Sequence, residues 1–316
     1  MCILKIVFCV LMIGIVAVLL MSLLSFLRFT TRNDRASRYT SEGAPKILQN
    51  YIRQTEETMS AVQNLNRQPL EITSADGFKL RGNLYTMHPG TKTVILALHG
   101  YHGGDIYDMA RFLPMYERLG YDCLIPQMRC HGESEGRFIT FGYREQIDSI
   151  GWCRKLEHIY GSDVKIILHG VSMGGCTALM MSGNHMLPKS VCGCVADSAS
   201  DTLVNLMDWR LRKYPKPIRQ WMMGLMNLWF NLLAHVDIKD ISTLKGNGEA
   251  TIPGLFIHSV DDHLVPISMY HANRESWGSS AGGFTVTDVP HANAFVKAPE
   301  EYEKHFRELC ELAEQK

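Results

Sequence analysis

The chain has no excess of charge: 32 Lys and Arg face 32 Asp and Glu, and the formal net charge at pH 7 is zero. With neither sign in surplus, and no basic stripe interleaved with aromatics, the footprint of a nucleic-acid partner is missing. A phosphate loop and a dinucleotide fingerprint are missing too, so the motifs imply no cofactor. Cysteine does not come in a paired framework. Nine are present; Cys2 and Cys9 lie in or beside an apolar N-terminus. The others (Cys123, Cys130, Cys153, Cys176, Cys192, Cys194 and Cys310) are odd in number and fall mostly in apolar runs. That reads as buried, reduced thiols and not as a disulfide scaffold. Cys192 and Cys194 are two apart in a strand and face one side, but nothing supplies the second ligand pair that zinc requires, so no metal site is expected. Internal repeats and low-complexity tracts are also lacking. What is present is an ordinary globular composition: 316 residues, 46% hydrophobic and 20% charged, enough for one large domain and a short extra segment.

Residues 6–27 lack any charged side chain. At about 1.5 Å per residue this run reaches across the ~30 Å hydrocarbon core of a bilayer. A buried core helix of that length would show a polar face, and none is seen. The rival reading is a cleaved signal peptide, for which Ser25-Phe26-Leu27-Arg28 is a poor cleavage site. The run is therefore read as an uncleaved single-pass anchor. Arg28, Arg32, Arg35 and Arg38 follow it and only Lys5 precedes it, which favours the cytoplasm for the rest of the chain, as do the unpaired cysteines. Insertion in the manner of a signal sequence gives the opposite side. Residues 28–69 read as a juxtamembrane stalk, helical over about 47–65.

From residue 70 the pattern alternates. LEITSADGFKLRGNLY reads as a β-hairpin around Asp76-Gly77. TVILALHG (93–100) is a continuous apolar run, as a buried parallel strand should be. Helix (107–119), strand (121–127), helix (143–160), strand (164–170) and helix (to Gly183) follow, then three further strands in SVCGCVADS, GLFIHSV and GFTVTDV, and a closing helix from about Pro299 to Ala313. Such alternation predicts an α/β fold, a mostly parallel sheet with helices on both faces, whose chemistry gathers at the carboxyl ends of the strands. Residues 202–241 interrupt it with helical, Trp- and Met-rich sequence, read as a lid with an apolar lining.

Gly170-Val171-Ser172-Met173-Gly174 fits G-x-S-x-G between a buried strand and a helix. The spacing has a steric reason: the serine sits on a sharp turn, and small flanking residues let strand and helix approach. The helix N-terminus beside it offers free N–H groups to a developing oxyanion. A serine hydroxyl needs a base, and an acid to orient that base. In chain order Ser, Asp, His, the candidates are Ser172, Asp262 and His291, each where a strand end meets a loop. Asp261 is the competing acid; Asp262 is preferred from the register Asp262, Val265, Pro266. His258, His263 and His271 are lower-ranked bases. The backbone N–H groups of Tyr101 and Met173 are the expected oxyanion donors, with His102-Gly103-Gly104 keeping the first loop small.

Taken together, LHGYHGG, PQMRCHGESEG, LHGVSMGG, FIHSVDDHLVP and VPHANAF resemble the α/β-hydrolase superfamily over roughly residues 70–316. The set looks most similar to bacterial membrane-anchored hydrolases related to serine aminopeptidases and lysophospholipases. The resemblance implies an α/β-hydrolase domain with a helical insertion over about 202–241 and an acyl-serine mechanism without cofactor. The resemblance does not fix the substrate; the apolar insertion and the N-terminal anchor point to a small-molecule or lipid-like acyl ester. A small-peptide aminopeptidase is the alternative, with Asp201 or Asp208 as candidate holders of a substrate amine. A non-catalytic binding protein on the same fold is the alternative from another class. The chain departs from the family's Asp-x-Arg-Gly-His-Gly at Gln127 and Cys130. That segment is read as a structural loop, with Cys130 a thiol open to electrophiles.

Overall fold

The computed structural model describes residues 2–32, 62, 65–103 and 108–315. The helix expected over 47–65, like most of the stalk, lies outside the described residues. The apolar N-terminal run is a single helix, α1 (Cys2–Thr30). The hairpin forms β1 (Arg67–Thr73) and β2 (Lys79–Tyr85), paired antiparallel. There follow β3 (Thr93–Leu98), α2 (Leu113–Leu119), β4 (Asp122–Pro126), α3 (Glu145–Tyr160), β5 (Lys165–Val171), α4 (Met173–Ser182) and β6 (Val191–Asp197). The insertion comes next, with α5 (Leu203–Arg210), α6 (Lys216–Trp229) and a π-helical turn at Phe230–Ala234. β7 (Gly254–Ser259), α7 (Ile267–Glu275), β8 (Ala281–Val286) and α8 (Pro299–Glu314) complete the domain.

The eight strands form one sheet in the order β1-β2-β4-β3-β5-β6-β7-β8. β2 runs antiparallel to β4, and every pairing from β4 through β8 is parallel. The α/β architecture expected from the alternation is therefore present. β3 shows why the sheet is covered on both faces. Its residues alternate with period two: Val94, Leu96 and Leu98 enter one core, Ile95 and Ala97 the other. α3 and α4 fill the first face with Ile150, Trp152, Ala178 and Leu179. α2 and α8 fill the second with Leu113, Tyr116, Tyr302 and Phe306.

Several boundaries differ from expectation: β1 begins at Arg67, inside the stretch read as stalk. Residue 107, where a helix is expected to start, lies outside the described residues; Asp108 and Met109 are π-helical, Ala110–Phe112 form a 3₁₀ turn, and the α-helix starts at Leu113, where Pro114 occupies the first turn and needs no N–H partner. The last strand starts at Ala281 and stops at Val286, the residue opposite Ser259. Residues 287–290 are thereby released as a loop.

The strand order reverses between β3 and β5: β4 lies on one side of β3, β5 on the other. In a doubly wound sheet that switch point opens a crevice beyond the carboxyl ends of the strands. Here β3 runs into His99-Gly100-Tyr101 and β5 into Ser172.

Candidate active site

Ser172 links β5 to α4 with φ 56° and ψ −116°, a left-handed conformation that strains a residue with a side chain. Close backbone approach holds it there. A Cβ on Gly170 would stand 2.1 Å from the Gly174 carbonyl oxygen, and one on Gly174 would stand 2.0 Å from that of Leu98. Only glycine fits at either position, so the flanking glycines are a steric requirement of the turn. The Ser172 N–H donates to the Asp197 carbonyl at 2.7 Å, which fixes the turn to the end of β6.

The structure brings Ser172, Asp262 and His291 together although they lie on three separate loops. His291 Nε2 is 2.8 Å from Ser172 Oγ, and His291 Nδ1 is 2.5 Å from Asp262 Oδ2. Asp262 is buried, and its other oxygen accepts the N–H groups of Leu264 (2.8 Å) and Val265 (2.9 Å). Burial pushes the Asp262 carboxyl up, but the hydrogen bond and charge of His291 and the Val265 N–H outweigh it and hold the group below its ordinary value. Asp261, the competing acid, faces elsewhere: it is exposed and accepts the Asp288 N–H at 2.7 Å. Of the alternative bases, His258 is buried with Nε2 donating to the Val265 carbonyl, and His263 and His271 are exposed.

Gly100 packs against Ser172, and no described residue accepts from the N–H of Tyr101 or Met173. The loop carrying Tyr101 is tied down from outside. His99 Nε2 accepts the Met128 N–H at 3.0 Å and its Nδ1–H donates to the Gly100 carbonyl. His131 Nε2 accepts the His102 N–H at 3.1 Å and its Nδ1–H donates to the Arg129 carbonyl. Each bond fixes a neutral tautomer, and burial lowers His99 to about 4 and His131 to about 3. Arg129 in turn forks onto Asp148 (2.7 and 2.8 Å) and Asp76 (2.9 and 3.1 Å). The segment 127–136 thus clamps the loop that follows β3. The departures from the family pattern do not loosen it: Gln127 accepts the Glu133 N–H at 2.6 Å. Cys130, expected from the sequence to be open to electrophiles, is enclosed by the fold. It is buried, and burial pushes its thiol up to about 12.

Several site-forming residues escaped sequence reasoning. Asp108 accepts the Gly100 N–H at 2.9 Å, and burial raises its carboxyl. Beneath the serine turn a buried chain runs from Tyr116 O–H to His169 Nδ1 (2.5 Å), from His169 Nε2–H to Tyr302 (2.7 Å), and from Tyr302 O–H to Asp197 (3.2 Å). Ser198 donates to the same Asp197 and accepts the Ala292 N–H, next to His291. A histidine in the middle of an apolar strand and a polar pair at a strand end were the signals available.

A cavity of about 390 Å³ opens beside Ser172. Its walls are mostly apolar: Leu206 and Met207 of α5, Met222 and Met226 of α6, Phe141, and Ser25 and Phe29 from α1. Tyr101 also lines it, with its hydroxyl donating to the Phe29 carbonyl at 2.7 Å. The carboxylates considered for an amine are already engaged. Asp201 accepts the Thr202 N–H and the Asn205 amide, and Asp208 pairs with Arg219 at 3.1 Å. Among the described residues no cluster of His, Cys, Asp and Glu is arranged to hold a metal ion.

Comparison with known proteins agrees with this architecture. A family model for the alpha/beta hydrolase fold matches residues 93–226. An uncharacterized protein of Bacillus subtilis, YqkD, is 24% identical over 288 residues, 90% of this chain and 89% of its own length. The esterase Pf2001 of Pyrococcus furiosus superposes with a TM-score of 0.63 at 23% identity, covering 81% of this chain and 94% of that one. The acylaminoacyl peptidase of Pyrococcus horikoshii does so with a TM-score of 0.57 at 17% identity, covering 80% of this chain but 43% of that one. With its sheet order, its strained serine turn and these matches, the chain has the α/β-hydrolase fold.

Proposed function

We propose that this protein is a membrane-anchored serine hydrolase that cleaves carboxylic esters with an apolar acyl group. The observation that carries the proposal is the hydrogen-bonded series Ser172–His291–Asp262 at the mouth of an apolar cavity. His291 Nε2 takes the Ser172 proton as Oγ attacks the ester carbonyl. The tetrahedral oxyanion accepts from the N–H groups of Tyr101 and Met173, each worth roughly 2.7–4 kcal/mol of barrier. His291 then protonates the leaving alkoxide, and a water activated by the same nitrogen releases the acid from the acyl-serine. Asp262 holds the ring in the tautomer that leaves Nε2 free to accept, and stabilises the imidazolium. The reading requires no cofactor.

An ester is favoured over a small peptide because the carboxylates near the cavity are satisfied within the protein, which leaves a peptide's ammonium group without a partner. α1 supports anchoring by length and composition: Lys5–Thr30 is long and apolar enough to cross a bilayer, and its most apolar stretch is not buried. The test is fluorophosphonate labelling of the full chain in detergent. Wild type is expected to label, and Ser172→Ala and His291→Ala are not. A folded wild type that stays unlabelled would instead favour a binding protein on the same fold.

A further inference from the structure

α1 is exposed along Ile6–Ala17 and packs on the domain from Val18 onward. Phe26 is fully buried against Phe138 and Phe230, and the Trp229 indole N–H donates to Ser22 at 2.9 Å. The free part is roughly 18 Å long at ~1.5 Å per residue. A bilayer core is ~30 Å thick, so the free part alone does not cross it. If α1 spans the membrane, as proposed above, Val18–Leu27 lies at membrane depth as well, and the helix packed against it goes with it.

That helix is suited to such a place. α6 buries no residue completely, and Ile218, Trp221, Leu228 and, in the following turn, Leu232 are between 40 and 56% exposed. They recur at helical spacing and form an apolar stripe. The stretch leading into α6 has the composition of a headgroup layer. Arg210, Arg212, Lys213 and Lys216 stand among Trp209 and Tyr214, and Asp208, the only acid from Leu203 to Val236, is paired with Arg219. Cations and amphipathic rings of this kind settle on anionic lipid surfaces.

We propose that the lid, residues 203–234, lies in the interfacial layer of the bilayer that α1 crosses, docked on anionic lipid. The cavity, walled by Phe29 of α1 and Met226 of α6, then receives an acyl substrate from the membrane and not from water. This rests on the hydrolase and anchor readings above and extends them to a substrate class, membrane-resident amphiphiles.

The experiment is depth-dependent quenching of the full chain in vesicles of phosphatidylcholine and phosphatidylglycerol with brominated acyl chains. Wild type is compared with Trp221→Phe. The expected result is a quenchable component that Trp221→Phe loses and that aqueous acrylamide does not reach. Quenching of Trp221 by acrylamide and not by brominated chains would place the lid in water and overturn the proposal. So would protection from both quenchers, which would mean a protein partner covers the stripe. A second arm measures hydrolysis. Trp221→Asp with Leu232→Asp is expected to lower turnover of a vesicle-borne acyl ester by about tenfold or more, with a short water-soluble ester in detergent unchanged. Equal turnover of the vesicle-borne ester by variant and wild type would overturn entry from the membrane. If wild type hydrolyses neither ester, the hydrolase reading falls while the quenching still decides the depth of the lid.

Discussion

Replacing Asp262 by Asn should abolish most activity without unfolding the protein, and the geometry says why. One carboxylate oxygen accepts two backbone N–H groups, from Leu264 and Val265, and the other accepts His291 Nδ1–H. An asparagine has one acceptor oxygen to offer. Turned toward the backbone, it keeps both N–H bonds and points its amide N–H at His291. Turned toward His291, it leaves two buried N–H groups facing an NH₂, at about 1–3 kcal/mol for each unmet donor. The first orientation wins by that margin. His291 Nδ1 must then accept, the ring proton moves to Nε2, and Nε2 can no longer take the proton of Ser172. The loss is that of a wrong tautomer, about 10³–10⁴ in kcat, or roughly 4–5.5 kcal/mol at ~1.36 kcal/mol per decade.

The assay is steady-state hydrolysis of a chromogenic ester with thermal melting alongside. The expected outcome is a fall in kcat with KM little changed, since the lost interaction belongs to the transition state. Asp261→Asn is the control. Its side chain is exposed and accepts only the Asp288 N–H, a bond that asparagine can also accept, so kcat should stay near wild type. An Asp262→Asn enzyme that kept more than a tenth of wild-type kcat, or an equal loss in Asp261→Asn, would refute the reasoning.

Gly174→Ala places a methyl 2.0 Å from backbone, so soluble yield and Tm should collapse, whereas Gly224→Ala, exposed on α6 with nothing within 4 Å of the new methyl, should melt as wild type or slightly higher. Asp76 is held down at about 2: burial works against its charge, but the Arg129 hydrogen bonds prevail. A depressed carboxyl stabilises the fold above its unfolded value of ~3.9 and loses that contribution as pH falls toward 2. Asp76→Asn should therefore lower Tm at pH 7 and converge with wild type near pH 2, by a modest amount because Asp76 is about a third exposed. Cys130 should resist iodoacetamide at pH 7.5 in the folded protein and react after unfolding in urea, as mass spectrometry of its peptide would show. Phe26→Ala opens a cavity among Phe138 and Phe230, and should cost about 3–5 kcal/mol in denaturant titration if the site does not collapse.

Much of this was legible in the sequence because the determinants were local. Continuous apolar runs such as TVILAL marked strands buried on both faces, and the glycines around Ser172 marked a turn that no other residue could make. The register Asp262, Val265, Pro266 singled out the aspartate that folds back over the N–H groups that follow it and meets His291. What escaped was decided by distance in the fold. Asp108 serves Gly100, His169 joins tyrosines from α2 and α8, and Asp197 supports both the serine turn and, through Ser198, the residue after His291. None of these has a periodicity or a motif of its own. The enclosure of Cys130 escaped for the same reason: residues 127–136 create it only by folding against β2.

α1 is the instructive case. Its length and composition suit a membrane helix, and composition alone treats such a helix as a tether that can be cut away. The structure gives its last turns a second duty. Phe26 is as buried as any strand residue, Phe29 walls the cavity and accepts the Tyr101 hydroxyl through its carbonyl, and the Thr30 carbonyl accepts the Ile139 N–H at 2.6 Å. Removing the helix would strip one wall from the cavity and one support from the loop that carries an expected oxyanion donor. A truncated enzyme starting after residue 32 should therefore lose more than a tether: its KM for long acyl esters should rise further than its KM for short ones. Equal shifts for both would reduce α1 to the tether that its composition alone describes.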